Sequence, residues 1–269
     1  LWARGEKNEL YQVTQSREAL QWLELSNPLR YGLAMLRADG DDWRADAHLR
    51  MKAEQMAADY QQLFGGLAKE FGVTLVAGSI VLPAPYVKQG VLHAGSGPLF
   101  NSSLVFAGDG SLLGQPQRQQ FPDSEMRRYV HDGRQQPLQV VQTPAGRLGV
   151  LVGSDSWYPE NHQQLAQQAV QLIANPVFLS GKGSWEAPWR GNRHQQASAG
   201  LPLQRGEVSE QSAWQRLTEA AGASVSSMSV FMRGQFWEQA SDGQGFARQS
   251  GELLAGTPSH GARLLNLWL

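Results

Sequence analysis

Between residues 16 and 26 the apolar positions Ala19, Leu20, Trp22, Leu23 and Leu25 return at helical spacing, and Asn27-Pro28 stops the run. The pattern predicts a short amphipathic helix. From 43 to 71, Met51, Ala53, Met56, Ala57, Tyr60, Phe64, Leu67 and Phe71 repeat mostly three and four residues apart, with an interruption at Gly65-Gly66. This predicts a long helix that covers one face of a sheet. Gly72 closes it, 73–81 is a β-branched, apolar run of strand length, and Pro83-Ala84-Pro85 turns the chain. A helix leading into a buried strand is the grammar of an α/β fold.

Further along, 101–107 predicts a strand, Asp109-Gly110 a turn and 115–120 a polar loop. Two more strands are expected at 138–142 and 148–153, joined through Pro144-Ala145-Gly146. Pro159 opens a glutamine-rich helix reaching Ala169, and 170–173 reads as a short strand ending at Asn175-Pro176. Residues 209–221 predict a helix with Glu210 in its first turn, and 224–232 and 262–269 the closing strands. The stretch 181–206, rich in Gly, Gln and Arg, is too poor in hydrophobes for a core element and reads as a long surface or pocket-rim loop.

Composition narrows the classes. With 269 residues, 41% of them apolar, and nine tryptophans, the chain can fill the core of one sizeable α/β domain or of two small ones. A formal net charge of −1 leaves no basic field for a polyanion, so nucleic acid is not an expected partner. The apolar runs at 148–152 and 225–232 are far shorter than the roughly 20 residues that cross a bilayer, and the start has no signal-peptide pattern. A soluble, cytoplasmic chain without a membrane span is expected. Zero cysteines exclude disulfides, thiolate metal sites and a cysteine nucleophile, and leave the redox compartment undecided. His48, His93, His131, His162, His194 and His260 are scattered, with no pair at helical spacing, so neither a metal nor another cofactor is expected.

The segment Leu148-Gly149-Val150-Leu151-Val152-Gly153-Ser154-Asp155-Ser156-Trp157-Tyr158-Pro159-Glu160 resembles the nucleophile strand of the nitrilase, or carbon–nitrogen hydrolase, superfamily, which reads roughly Gly-Val-Leu-Ile-Cys-x-Asp-x-x-Phe-Pro-Glu. Leu67 to Ser79 resembles that family's helix-to-strand passage, and Asn101 to Phe106 with Asp109-Gly110 its next strand and turn. Leu172-Ile173-Ala174-Asn175-Pro176 is similar to the strand after the nucleophile, and Val230-Phe231 with Asn266-Leu267-Trp268-Leu269 to the late strands. Together these cover most of 60–269 in the family's order.

The resemblance implies an α/β fold, a four-layer αββα sandwich, acting on amide, nitrile or carbamoyl groups through a Glu-Lys-Cys triad. In that chemistry the carboxylate takes the thiol proton, the thiolate attacks carbon, and lysine stabilises the oxyanion. Here the cysteine position is Gly153, and the lysine position, shortly before Phe121-Pro122, is Gln117 or Gln119. Arg118 could supply a cation if the loop shifted by one residue. The first glutamate has no counterpart, since Pro159-Glu160 is the sole Pro-Glu of the chain. Glu125 matches the supporting glutamate. The resemblance further implies one domain over 1–269 that lacks its first strands and helix, a piece of roughly eighty residues.

Around this site Ser154, Asp155, Trp157, Asn175 and Trp185 are candidate pocket residues. Alternation along a strand would turn Ser154 away from the pocket, and Asp155 is expected to cap a helix or bind backbone amides rather than act as a base. The tryptophans can serve as pocket lining or as ordinary packing. The reading that follows is a non-catalytic homologue binding a small amide- or acid-like ligand or a partner, and self-pairing into a dimer. Its alternatives are a hydrolase using residues outside this chain or a directly attacking water with Glu125 as base, and a structural subunit of an active relative.

Overall fold

The computed structural model describes residues 4–6, 8–191, 203–256 and 264–268. The chain forms two compact units: Leu1–Arg118 with Pro122–Gly133 and Phe236–Glu238, and Gln119–Phe121 with Arg134–Gln235 and Gln239–Leu269.

In the first unit, α1 (Asn8–Gln12), α2 (Ser16–Ser26), α3 (Pro28–Met35), α4 (Trp43–Met51) and α5 (Ala53–Phe71) precede β1 (Leu75–Val76), β2 (Ile80–Pro83), β3 (Tyr86–Lys88), β4 (Val91–His93), β5 (Leu99–Phe106) and β6 (Leu112–Arg118). Strand β5 is fully buried and pairs antiparallel with β1, β2 and β6. The apolar stripe of α5, with Met56, Ala57, Tyr60 and Ala68, packs with Leu82, Leu104 and Phe106 into one core. Burying rings such as Tyr60 and Phe106 contributes roughly 2–3 kcal/mol each. Tyr60 also donates its hydroxyl to Gly78 O at 2.7 Å.

Pro28 stops α2 as expected but also starts α3, because proline is pre-set for a first helical position. The long helix expected from 43 to 71 breaks at Lys52 (φ −118°, ψ 9°) rather than at the glycines. Its buried ammonium donates to Arg4 O at 3.0 Å and to Glu6 Oε1 at 2.8 Å, long-range partners that no local pattern reports. Gly65 stays helical and lets the turn after β5 approach: a Cβ on Gly65 would lie 2.9 Å from Gly110 O. Gly65→Ala is therefore expected to lower the thermal midpoint. The forced backbone shift costs roughly 1–3 kcal/mol, against a gain in helix propensity of about 1 kcal/mol. A raised midpoint would refute this close approach.

Residues 73–81 divide into β1 and β2 around Ala77-Gly78, and the expected loop at 115–120 is instead strand β6 as far as Arg118. Polar side chains are tolerated there because they find backbone partners. Gln115 accepts from Val87 N at 2.8 Å and donates to Val87 O at 3.0 Å, imitating a strand neighbour for β3.

In the second unit, β7 (Val140–Thr143), β8 (Gly146–Val150), α6 (Pro159–Gln167), β9 (Leu172–Val177), α7 (Glu210–Leu217) and β10 (Ser226–Phe231) are followed by β11 (Gly234–Phe236), whose last residue is counted with the first unit, and by β12 (Gln239–Ser241), β13 (Phe246–Gln249) and β14 (Glu252–Ala255). One sheet runs β14-β13-β10-β9-β8-β7, with β8, β9 and β10 parallel and the flanking strands antiparallel. Leu151, Leu165, Val170 and Ile173 pack α6 onto it. The β-α-β alternation is the expected one. Strand β9 nevertheless passes through Asn175-Pro176, because the missing N–H of Pro176 faces the side where β8 has already ended at Val150. Hairpin β13–β14 turns at Ser250 and Gly251, both at positive φ, and escaped the sequence reading because its strands are so short. Of the strand expected at 262–269, residues 264–268 are irregular and the remainder lie outside the described residues, as do 192–202 of the long loop. No helix among the described residues is long and apolar enough to cross a membrane.

Candidate functional site

Within the second unit the carboxyl ends of β8, β9 and β10 gather on one edge of the sheet, where open α/β sheets place ligands. The chain leaves β8 through Leu151-Val152 and reverses at Gly153 with φ +55°, a left-handed conformation that favours glycine. A 3-10 turn over Gly153–Trp157 follows, and Pro159 at the first helical position starts α6.

This elbow is tied to the short segment Gln119–Phe121 by one carboxylate. Asp155 is 0% exposed and accepts from Gln120 N at 2.9 Å, from Phe121 N at 2.8 Å and from Val152 N at 3.3 Å. Burial pushes its carboxyl up to about 7, while the three backbone N–H groups pull the other way. Ser154 donates its hydroxyl to Phe121 O at 2.6 Å and accepts from Gln119 Nε2 at 3.1 Å. Because residue 154 belongs to a 3-10 turn, strand alternation does not apply to it. The Gln119 amide nitrogen would lie 3.2 Å from a Cβ placed on Gly153. Of the two glutamines at the expected lysine position, Gln119 is thus the one beside Gly153 in this unit. Gln117 lies in β6 of the first unit and donates to Arg118 O at 3.0 Å.

A polar network continues inward. Asn175 Nδ2 donates to Ser156 Oγ at 2.7 Å, Asn161 Nδ2 donates to Asp155 O at 2.9 Å, and His162 Nε2 donates to Ser156 O at 2.8 Å. Bonding to a carbonyl places the His162 proton on Nε2, and burial lowers its pKa and keeps the ring neutral. Ser156, His162, Asn175 and Ser227 border a cavity of about 20 Å³, room for about one water. His162 Nδ1, Asn175 Oδ1 and Ser227 Oγ are buried there without a hydrogen-bond partner among the described residues.

The other sequence candidates divide between the units. Trp157, 4% exposed, stacks on Trp189 at 5.4 Å and meets Trp214 edge-on at 5.0 Å. Trp185, 2% exposed, meets Phe231 edge-on at 4.8 Å in the same aromatic core. In the first unit the Arg118 guanidinium lies 4.0 Å over the Phe100 ring, and burial lowers its pKa. Glu125, also in the first unit, is exposed and precedes the 3-10 turn Met126–Arg128. Sequence reading missed Asn161, His162 and Ser227. A signal for Ser227 exists: Ser227 and Ser229 are buried and alternate along β10 with the partly or fully exposed Met228 and Val230. A second cavity of this unit, about 770 Å³, lies at the end of β10 and was likewise unforeseen.

The elbow offers backbone groups, a committed serine hydroxyl and a neutral amide, and Gly153 offers no side chain. A family model described as carbon-nitrogen hydrolase matches residues 30–202. A deaminated glutathione amidase of Yersinia enterocolitica is 27% identical over 136 residues, 47% of this chain and 45% of that protein. An N-carbamoylputrescine amidase of Solanum lycopersicum is 25% identical over 118 residues, 43% of this chain and 35% of that one. The chain thus spans less than half the length of these relatives. Among solved structures, a carbon-nitrogen hydrolase from Helicobacter pylori G27 superposes with a TM-score of 0.54 at 20% identity, covering 76% of this chain and 64% of that one. An amidase of Nesterenkonia AN1 from the nitrilase superfamily gives 0.50 at 18%, covering 74% and 63%. These likenesses establish the fold as an α/β sandwich of the nitrilase type.

Proposed function

Taking as premise that this chain belongs to the carbon–nitrogen hydrolase family, we propose that it keeps the family's scaffold for binding a small amide- or acid-like molecule and does not carry out the covalent hydrolytic step. The observation that carries the reading is Gly153, at φ +55° on the elbow with the Gln119 amide beside it. A thiolate route needs a nucleophile there and a cation nearby, and this unit has a hydrogen atom and a neutral amide in those places. Ser154 is a poor substitute, because its hydroxyl proton is held by Phe121 O and its oxygen by Gln119. Asp155 is an equally poor base, since its carboxylate serves three backbone N–H groups. Removing a nucleophile from an enzyme costs about a million-fold in kcat.

The test is ammonia release from a panel of small amides and nitriles, by this chain and by the protein bearing its natural flanking sequence. The expected result is no turnover above a heat-killed control in a sample shown to be folded. Turnover would overturn the proposal and favour a direct-water mechanism or a nucleophile outside this chain. The double substitution Gly153→Cys with Gln119→Lys asks whether the pocket persists, and restored ammonia release would show that it does.

A further inference from the structure

Helix α3 turns one side to the protein and the other to solvent, and the solvent side is strongly apolar. Ala34 is buried and the Tyr31 ring lies 4.9 Å from His48 of α4, so that side packs inward. On the opposite side Leu29, Leu33 and Leu36, spaced four and three positions apart, are 83%, 61% and 84% exposed. Leu25, at the end of α2, is 75% exposed, and Trp22, three positions earlier, is 43% exposed. We propose that this leucine stripe is a membrane-surface site, with α3 lying flat in the interface of a bilayer that contains anionic phospholipid. The inference stands whether or not the elbow hydrolyses amides.

Scattered single leucines on a surface are ordinary, whereas several large ones along one helix side mark an interaction surface. Charge selects the occupant. Arg30 and Arg37 are exposed and each follows a leucine of the stripe by one position, which puts both on the same edge of it. No acidic residue occurs from Leu25 to Ala38. The nearest carboxylates on either side are engaged within the protein: Glu24 lies 2.9 Å from His48 Nε2, and Asp39 accepts from Gly40 N at 2.8 Å. Leucines bordered by cations are the composition of helices that lie in the headgroup region, where the apolar side enters the acyl boundary and the cations meet lipid phosphates. Trp22 adds a side chain enriched at that depth. The same arginines disfavour a second copy as the occupant, because antiparallel pairing along the stripe would place Arg30 beside Arg37 with no carboxylate between them. At eight residues α3 is roughly 12 Å long, against a hydrocarbon layer of about 30 Å, so it can lie on a bilayer and cannot cross one.

The experiment is co-sedimentation of the whole chain with vesicles of phosphatidylcholine alone and of phosphatidylcholine with about one-third phosphatidylglycerol. It is repeated on Leu29→Ser with Leu33→Ser, on Arg30→Gln with Arg37→Gln, and on Leu63→Ser, an exposed position of α5, as control. Expected are binding to the anionic vesicles about ten-fold or more tighter than to the neutral ones, and a loss of about ten-fold or more in the leucine pair. The arginine pair should lose about 30-fold on anionic vesicles and little on neutral ones, and the control should be unchanged. All the substituted side chains are exposed, so the variants should fold, and circular dichroism verifies this. No vesicle binding, equal affinity for the two vesicle types, or unchanged binding in both paired variants would overturn the site. A dimer in lipid-free buffer that the leucine pair dissociates, seen by sedimentation velocity, would give the face to a second copy and overturn it as well. So would vesicle binding that disappears when the natural flanking sequence is present. The ammonia-release assay decides the elbow separately.

Discussion

Replacing Asp155 by alanine is expected to lower the unfolding free energy by about 4 kcal/mol, the cost of leaving several buried donors unpaired. The carboxylate is 0% exposed and is the acceptor for Gln120 N, Phe121 N and Val152 N, so alanine removes the acceptor from all three at once. It would also release the Gln119–Phe121 segment from the elbow. Urea denaturation of the two proteins at pH 7 measures the difference, and a loss below about 1 kcal/mol would show that the segment is held by other contacts.

The same residue fixes the sign of a pH effect. Burial raises the Asp155 carboxyl from 3.8 to about 7 in the folded state, so between those values the folded chain binds more protons than the unfolded one. Its contribution to stability is therefore fully present below about pH 4 and is lost as the pH rises through about 7. Three pH units at about 1.4 kcal/mol each bound the effect at roughly 4 kcal/mol. Asp155→Asn cannot titrate and should lack this slope, at the cost of turning an NH₂ group toward backbone donors. Parallel slopes for the two proteins between pH 4 and 8 would assign the pH dependence to other groups.

Trp185→Ala is expected to cost about 4 kcal/mol, whereas Trp185→Phe should stay within about 1.5 kcal/mol. The indole is 2% exposed and packs edge-on against Phe231, so alanine leaves a large cavity in the aromatic core. Its Nε1–H is buried without a partner among the described residues, so phenylalanine keeps much of the ring contact and removes an unpaired donor. Denaturation midpoints of the three proteins decide the matter. A pocket-lining tryptophan would behave differently, with alanine weakening ligand binding and leaving the midpoint nearly unchanged.

Much of the architecture was legible because its causes are local. Helix α2 lies where apolar spacing put it, and α6 begins at Pro159 because proline suits a first helical turn. The strand–elbow–helix passage around Gly153 was legible as a motif, and with it the family. Asp155 as a binder of backbone amides was anticipated from its place at a turn. The misreadings share one cause. Lys52 breaks a helix through Arg4 and Glu6, 48 and 46 residues away, and the polar β6 is held by an edge of β5 and by Val87.

The sequence by itself determined the α/β order of elements, the absence of a thiol and the identity of glycine at the elbow, since each follows from residue type and short-range spacing. Only the tertiary structure brought the Gln119 amide beside Gly153, 34 residues along the chain, through its bond to Ser154. It alone left Leu29, Leu33 and Leu36 facing solvent. Their spacing is that of a core-facing stripe, and only the inward packing of Tyr31 and Ala34 decides which side of α3 is buried.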